Sequence, residues 1–266
     1  MSKLFENLLE QYKRANQGAK QKLAEKNGFN TKEEYLAYLQ DEAFPNSTGK
    51  KITAIKNKVV KEKPVVHNVS IIDASGSMEG GKYNNACKGI LDEFKALKNN
   101  KDATFTFTLV EFVQSNNIKT PFTLSIKVPD FSFNGAKGSN TPLYKTVYDT
   151  IQKIKGVVPK GEKVLVKVYT DGGENVNYDY ASKCTKLIKE VEKEGFTITF
   201  VAIEGDMAKI IKDLSLEKSN TLEVTNDSLG FETAFVKSLV STQTYASKVN
   251  RGIDVSKGFY KQVGKL

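Results

Sequence analysis

Residues 65–78 read VVHNVSIIDASGSM. Valine and isoleucine dominate the first eight positions, and the chain then passes abruptly to Asp73, Ala74, Ser75, Gly76 and Ser77. A short β-branched run closed by small polar residues is the pattern of a buried strand that ends in a loop. Two other stretches change character in the same way. KVLVKVYTDGGEN (163–175) is a strand pattern that gives way to Asp171, and GSNTPLY (138–144) sets Thr141 ahead of a helical pattern.

Working outward, strand and helix patterns alternate. KYNNACKGILDEFKAL (82–97) places Ala86, Ile90, Phe94 and Leu97 on one helical face. TFTFTLVEFV (104–113) and PFTLSIKV (121–128) read as strands close enough to form a hairpin. Residues 142–155 read as a helix, with Thr141 as its N-cap and Pro142 in its first turn. A helix at 180–195, a strand at 196–204, a short helix at 206–214, a strand at 221–225 and a last helix from Gly230 into the 240s follow. Such alternation predicts an α/β fold: a doubly wound, mostly parallel central sheet, with the hairpin supplying one antiparallel edge strand.

The flanks differ. Leu4, Leu8, Tyr12, Ala15, Ala19 and Leu23 recur at helical spacing over 3–26, and Thr31 with Glu34 forms a capping-box signature for a second helix through Tyr35, Leu36 and Leu39. The domain reading is an N-terminal helical hairpin at 1–44, a lysine-rich linker at 45–63, the α/β domain at 64–240 and a basic tail at 241–266. A 40-residue hairpin is too small for a secure core, so it is expected to dock on the main domain or on a partner. The STGK at 47–50 is not a phosphate loop, because Phe44 stands where that motif needs glycine.

The net charge of +9 sits on these flanks. Residues 1–63 carry 13 basic and 8 acidic side chains and residues 241–266 carry 5 and 1, whereas the middle is balanced at 22 of each. No basic stripe marks a reading element, which disfavours nucleic acid as a partner. No apolar run reaches the ~18 residues of a membrane span. Met1 opens no signal-peptide pattern, and Cys87 and Cys184 make no disulfide framework. The expected location is the cytoplasm.

In open α/β sheets ligands bind beyond the carboxyl ends of the strands, where connectivity reverses. Asp73 and Asp171 are placed there as the first polar residues after their strands; Ser75 and Ser77 alternate on the following loop, and Thr141 heads a helix. Oxygen donors with no nearby His or Cys suit Mg²⁺, Mn²⁺ or Ca²⁺ and disfavour zinc. Few charges and several neutral oxygens leave an open face, on which a carboxylate from another protein can replace water.

At these residues the chain resembles the von Willebrand factor A family. Asp73-Ala-Ser75-Gly-Ser77, Thr141 in SNTPLY and Asp171 in Thr170-Asp171-Gly172 are similar to that family's metal-ion-dependent adhesion site, and all five positions are filled. The resemblance spans 64 to about 240 and is closest in style to small stand-alone bacterial and phage members. It implies that Asp73, Ser75, Ser77, Thr141 and Asp171 hold a divalent cation, with Mg²⁺ first, and that the partner protein supplies an acidic residue to it. In the family the hydroxyls touch the metal directly and the aspartates often act through water. Two alternatives keep the metal but make it structural: an assembly component, such as part of a phage virion, or an adaptor for a MoxR-type AAA+ ATPase.

A Mg²⁺-dependent phosphohydrolase of the haloacid-dehalogenase type is disfavoured, because its second aspartate would stand where this chain has Ser75. One histidine and no GxSxG leave no hydrolase triad, so no catalytic residue is assigned. Glu174 and Asn175 stand where they can line the site mouth, but as turn residues after Gly172-Gly173 the preferred reading is local loop chemistry, and Glu79 is open to the same two readings. Tyr144 and Tyr148 read as packing. His67 reads as a packed or edge histidine distant from any plausible partner.

Overall fold

The structure is a computed structural model that describes residues 10, 12–26, 31–33, 35, 36, 39, 62–112, 140–176, 179–203 and 205–261. The chain divides into two compact units, Met1–Glu62 and Lys63–Leu266.

In the first unit the expected continuous helix breaks at Ala15–Asn16. Asn16 accepts the Ala19 amide at 2.9 Å and starts α1, Gln17–Lys26. A side chain that caps an N-terminus competes with helix continuation, and asparagine does this well. Tyr12, Ala24, Tyr35 and Leu39 form a small core, with the Tyr12 and Tyr35 rings edge-on at 5.4 Å. The Glu34 half of the capping box and helix residues 3–9 lie outside the described residues.

The second unit is built on five strands: β1 Val65–Asp73, β2 Thr104–Phe112, β3 Lys163–Tyr169, β4 Phe196–Ile203 and β5 Thr221–Val224. They lie in the order β2-β1-β3-β4-β5, with every neighbouring pair parallel. That order is doubly wound, with its switch point between β1 and β3. The expected antiparallel edge strand at 121–128 lies outside the described residues.

Helices cover both faces, which is why the strands are apolar almost throughout. On one side α2 (Gly81–Leu97) and α6 (Ser228–Asn250) bury Tyr83, Ile90, Phe94, Phe231 and Phe235 against Val66, Ile72, Leu165 and Tyr169. On the other, α3 (Leu143–Lys155), α4 (Tyr180–Glu192) and α5 (Asp206–Leu214) pack Val147, Ile151, Leu187 and Ile210 against Val69, Val110, Val166 and Ile198. No helix among the described residues is long and apolar enough to cross a membrane.

Two details differ from the sequence expectations. Residues 241–261 are not a separate tail. The boundary at 240 falls inside α6, and the chain after it returns to bury Val255, Phe259 and Tyr260. Asn220 secures this return, donating to the Ser256 carbonyl at 2.8 Å and accepting the Phe259 amide at 3.0 Å. His67 is packed but has partners: Thr106 at 2.7 Å from Nδ1 and Glu162 at 2.5 Å from Nε2. Beneath α6, Lys167 is wholly buried and paired with Glu93, which also accepts the Thr242 hydroxyl at 2.7 Å. Burial pushes the Lys167 ammonium below its usual range, against the pull of Glu93.

Candidate functional site

The register of the two central strands explains the site. Ile72 pairs with Tyr169, so Asp73 and Thr170 emerge side by side at the carboxyl edge of the switch point. Asp73 is the last residue of β1, and Thr170, not Asp171, is the first residue past β3. The Thr170 hydroxyl donates to Asp73 Oδ2 at 2.6 Å, and the Ser75 amide donates to Asp73 Oδ1 at 2.8 Å. Each carboxylate oxygen is thus anchored, and the carboxylate orients the loop that leaves the strand. Asp73 is fully buried. Desolvation raises its carboxyl to about 6, against the hydrogen bonds from Thr170 and Ser75, with the Asp171 charge adding to the rise.

The loop continues as one turn of 3₁₀ helix, Gly76–Met78, anchored by the buried Met78. That turn brings Ser75 Oγ to 3.1 Å from Ser77 Oγ, and the Ser77 hydroxyl donates to Asp171 Oδ1 at 2.7 Å. Asp73, Ser75, Ser77 and Asp171 therefore form one hydrogen-bonded series. Asp73, Ser75 and Asp171 are buried, whereas Ser77 faces solvent.

Thr141 joins by a different route. Its amide donates to Asn175 Oδ1 at 2.7 Å, and its carbonyl accepts the Asn175 amide at 3.4 Å. Thr141 is thereby fixed to the loop that carries Asp171. The contacts that place it are those of its backbone. The helix cap expected of Thr141 is supplied otherwise: Pro142 is the N-cap residue of α3 and makes no side-chain cap. The buried Glu174 accepts the Tyr144 amide at 2.7 Å and the Val176 amide at 2.8 Å. A carboxylate at a helix N-terminus meets unpaired N–H groups and the positive end of the helix dipole. Glu174 and Asn175 are therefore the braces that set two site loops against each other, a larger role than the local one expected. Tyr144 also reaches across elements, donating to Asp213 Oδ2 at 2.8 Å.

Two residues that were not singled out complete the arrangement. Lys82, in the first turn of α2, pairs its ammonium with Asp171 Oδ2 and donates to Asn226 Oδ1 at 3.0 Å. Nothing local in the sequence marks either residue, since they stand 89 and 144 positions from their partners.

The donor set is carboxylate and hydroxyl oxygen only, which fits a hard cation of the Mg²⁺ or Ca²⁺ kind. No group of three or more His, Cys, Asp or Glu side chains suited to a metal occurs among the described residues. Any ion here would depend on the serine and threonine oxygens as much as on the two aspartates.

No family model matches the chain, and no curated protein does. Solved structures similar to it include proximal thread matrix protein 1 of the mussel byssus, at 17% identity and TM-score 0.49 over 67% of this chain and 49% of that one. A second structure of that protein is 15% identical, with TM-score 0.47 over 82% and 53%. The VWA domain of SpRpn10 is 12% identical, with TM-score 0.48 over 66% and 94%. The chain thus spans about half the length of the mussel protein. At scores below 0.5, the doubly wound assignment rests on the strand order and helix placement of this chain itself.

Proposed function

We propose that the chain is a protein-binding module, not an enzyme, and that its strand-end site holds a divalent cation through which it grips a carboxylate of a partner protein. The observation that carries this reading is the series Asp73–Ser75–Ser77–Asp171 at the switch point, closed by hydrogen bonds of 2.7–3.1 Å and open to solvent at Ser77. Ser75, Ser77 and Thr141 would supply neutral oxygens, and Asp73 and Asp171 the charge. Mg²⁺ is the first candidate, with Mn²⁺ or Ca²⁺ as substitutes. The ion contributes positive charge at the open face. The protein's own part is to hold the oxygens in place: Asp73 fixes the Ser75 loop, and Glu174 with Asn175 fixes the Thr141 loop.

Thermal denaturation in Mg²⁺ and in EDTA tests the site. At a free ion concentration of 100 times the dissociation constant, linkage adds ~2.7 kcal/mol to folding stability. Ser77→Ala removes an exposed donor and is expected to fold normally while losing most of that increment. An equal magnesium response in wild type and variant would remove the assignment. Retention of a host protein on the immobilised chain in Mg²⁺, lost both in EDTA and in Ser77→Ala, is the corresponding test of binding.

A further inference from the structure

Lys82 stands out because it is a cation already bonded to one of the two site carboxylates. Its side chain is mostly buried, and its partner carboxylate on Asp171 is almost wholly so. Asn226, on the loop before α6, accepts a second hydrogen bond from the same ammonium at 3.0 Å. The lysine is thus seated by two residues from different parts of the chain and is not a loose surface charge.

We infer that Lys82 is a tethered counter-cation that competes with the divalent ion for Asp171, keeping the site's intrinsic metal affinity low so that the metal is held firmly only when a partner's carboxylate joins it. This rests on the metal-binding reading above and adds the residue that sets its charge balance. Asp73 and Asp171 bring two negative charges when ionised, and Lys82 brings one positive. A divalent ion leaves one positive charge in surplus, which one carboxylate cancels. Without Lys82 the two aspartates alone would neutralise the ion, and the site would have no charge-based demand for an acidic partner. Like charges a few ångströms apart at a partly buried surface repel strongly enough to matter.

The test uses Mn²⁺ alone as probe, with the full chain, by isothermal titration and by the paramagnetic signal of the free ion. Lys82→Met is expected to bind Mn²⁺ on the order of tenfold more tightly than wild type. Lys82→Arg, which keeps the charge, is expected to stay near the wild-type value. Lys82→Gln serves as a second neutral variant should methionine disturb the fold, and melting curves in EDTA check each protein. Tighter binding in the neutral variants, including the case where wild-type binding is too weak to register, supports the inference. Measurable wild-type binding that is unchanged or weaker in both neutral variants overturns it and leaves the metal reading intact, with Lys82 then merely positioning Asp171. No Mn²⁺ binding by any of the proteins removes both.

Discussion

Asp73 shows how burial and hydrogen bonding divide the control of one carboxyl. Removal from water raises it to about 6, although Thr170 and Ser75 both stabilise its charged form. In the unfolded chain it titrates near 3.8. Between those values the folded protein keeps a proton that the unfolded chain has released. The stability contribution is therefore fully present below about pH 4 and is lost as pH rises through about 6. Asp73→Asn can retain the local pattern, since its amide would donate to Thr170 Oγ1, whose hydroxyl also lies 2.8 Å from the Gly172 carbonyl. In EDTA, the stability of Asp73→Asn relative to wild type is expected to grow by on the order of 2–3 kcal/mol between pH 4 and pH 7. Urea denaturation at both pH values measures it, and a difference flat in pH would show that Asp73 is not desolvated as described.

At the scale of elements, the approach of α2 to α6 depends on one missing side chain. A Cβ on Gly89 would lie 2.2 Å from the Phe235 ring, inside contact distance. Phe235 cannot simply withdraw, because it stacks on Tyr169 of β3 with ring centroids 4.5 Å apart. Gly89→Ala gains helix propensity of up to ~1 kcal/mol and loses more to overpacking, which typically costs ~1–3 kcal/mol. The net expectation is a lower chemical-denaturation midpoint; a variant more stable than wild type would mean that the two helices separate freely. This contact matters to the site, because α2 carries Lys82 and the loop entering α6 carries Asn226. The helical periodicity of 82–97 made Ile90 and Phe94 legible as core, but nothing in that segment alone says which helix faces Gly89.

For the α/β unit as a whole, the carboxyl edge of the sheet holds the candidate site while the residues after α6 close the far end of the core. Val255, Phe259 and Tyr260 are buried, and Thr197 of β4 donates to the Val255 carbonyl at 3.1 Å. Truncation after Val240 is expected to abolish cooperative unfolding of the α/β unit and to expose it to limited proteolysis, because it removes the last turns of α6, from Ser241 to Asn250, along with these anchors. A truncated chain that melts as sharply as the full one would return 241–261 to the status of an appendage. The charge count of residues 241–266, five basic residues against one acidic, suggests a solvated tail. It misled because long cationic side chains reach water while the apolar residues between them turn inward.

Local sequence was sufficient for the alternation of strand and helix, because β-branched runs and 3.6-residue periodicity are short-range consequences of which faces must be buried. It also points to the strand ends as the place of the candidate residues, since Asp73 closes β1, Ser75 and Ser77 lie on the loop after it, and Asp171 lies two residues past β3. The tertiary structure decided the rest. Pairing of Ile72 with Tyr169 sets Asp73 beside Thr170; Glu174 and Asn175 fasten the Thr141 loop; Lys82 and Asn226 meet at Asp171. Each of these joins residues dozens of positions apart, and no local propensity encodes such a meeting. Only strand order, register and helix packing bring those groups together.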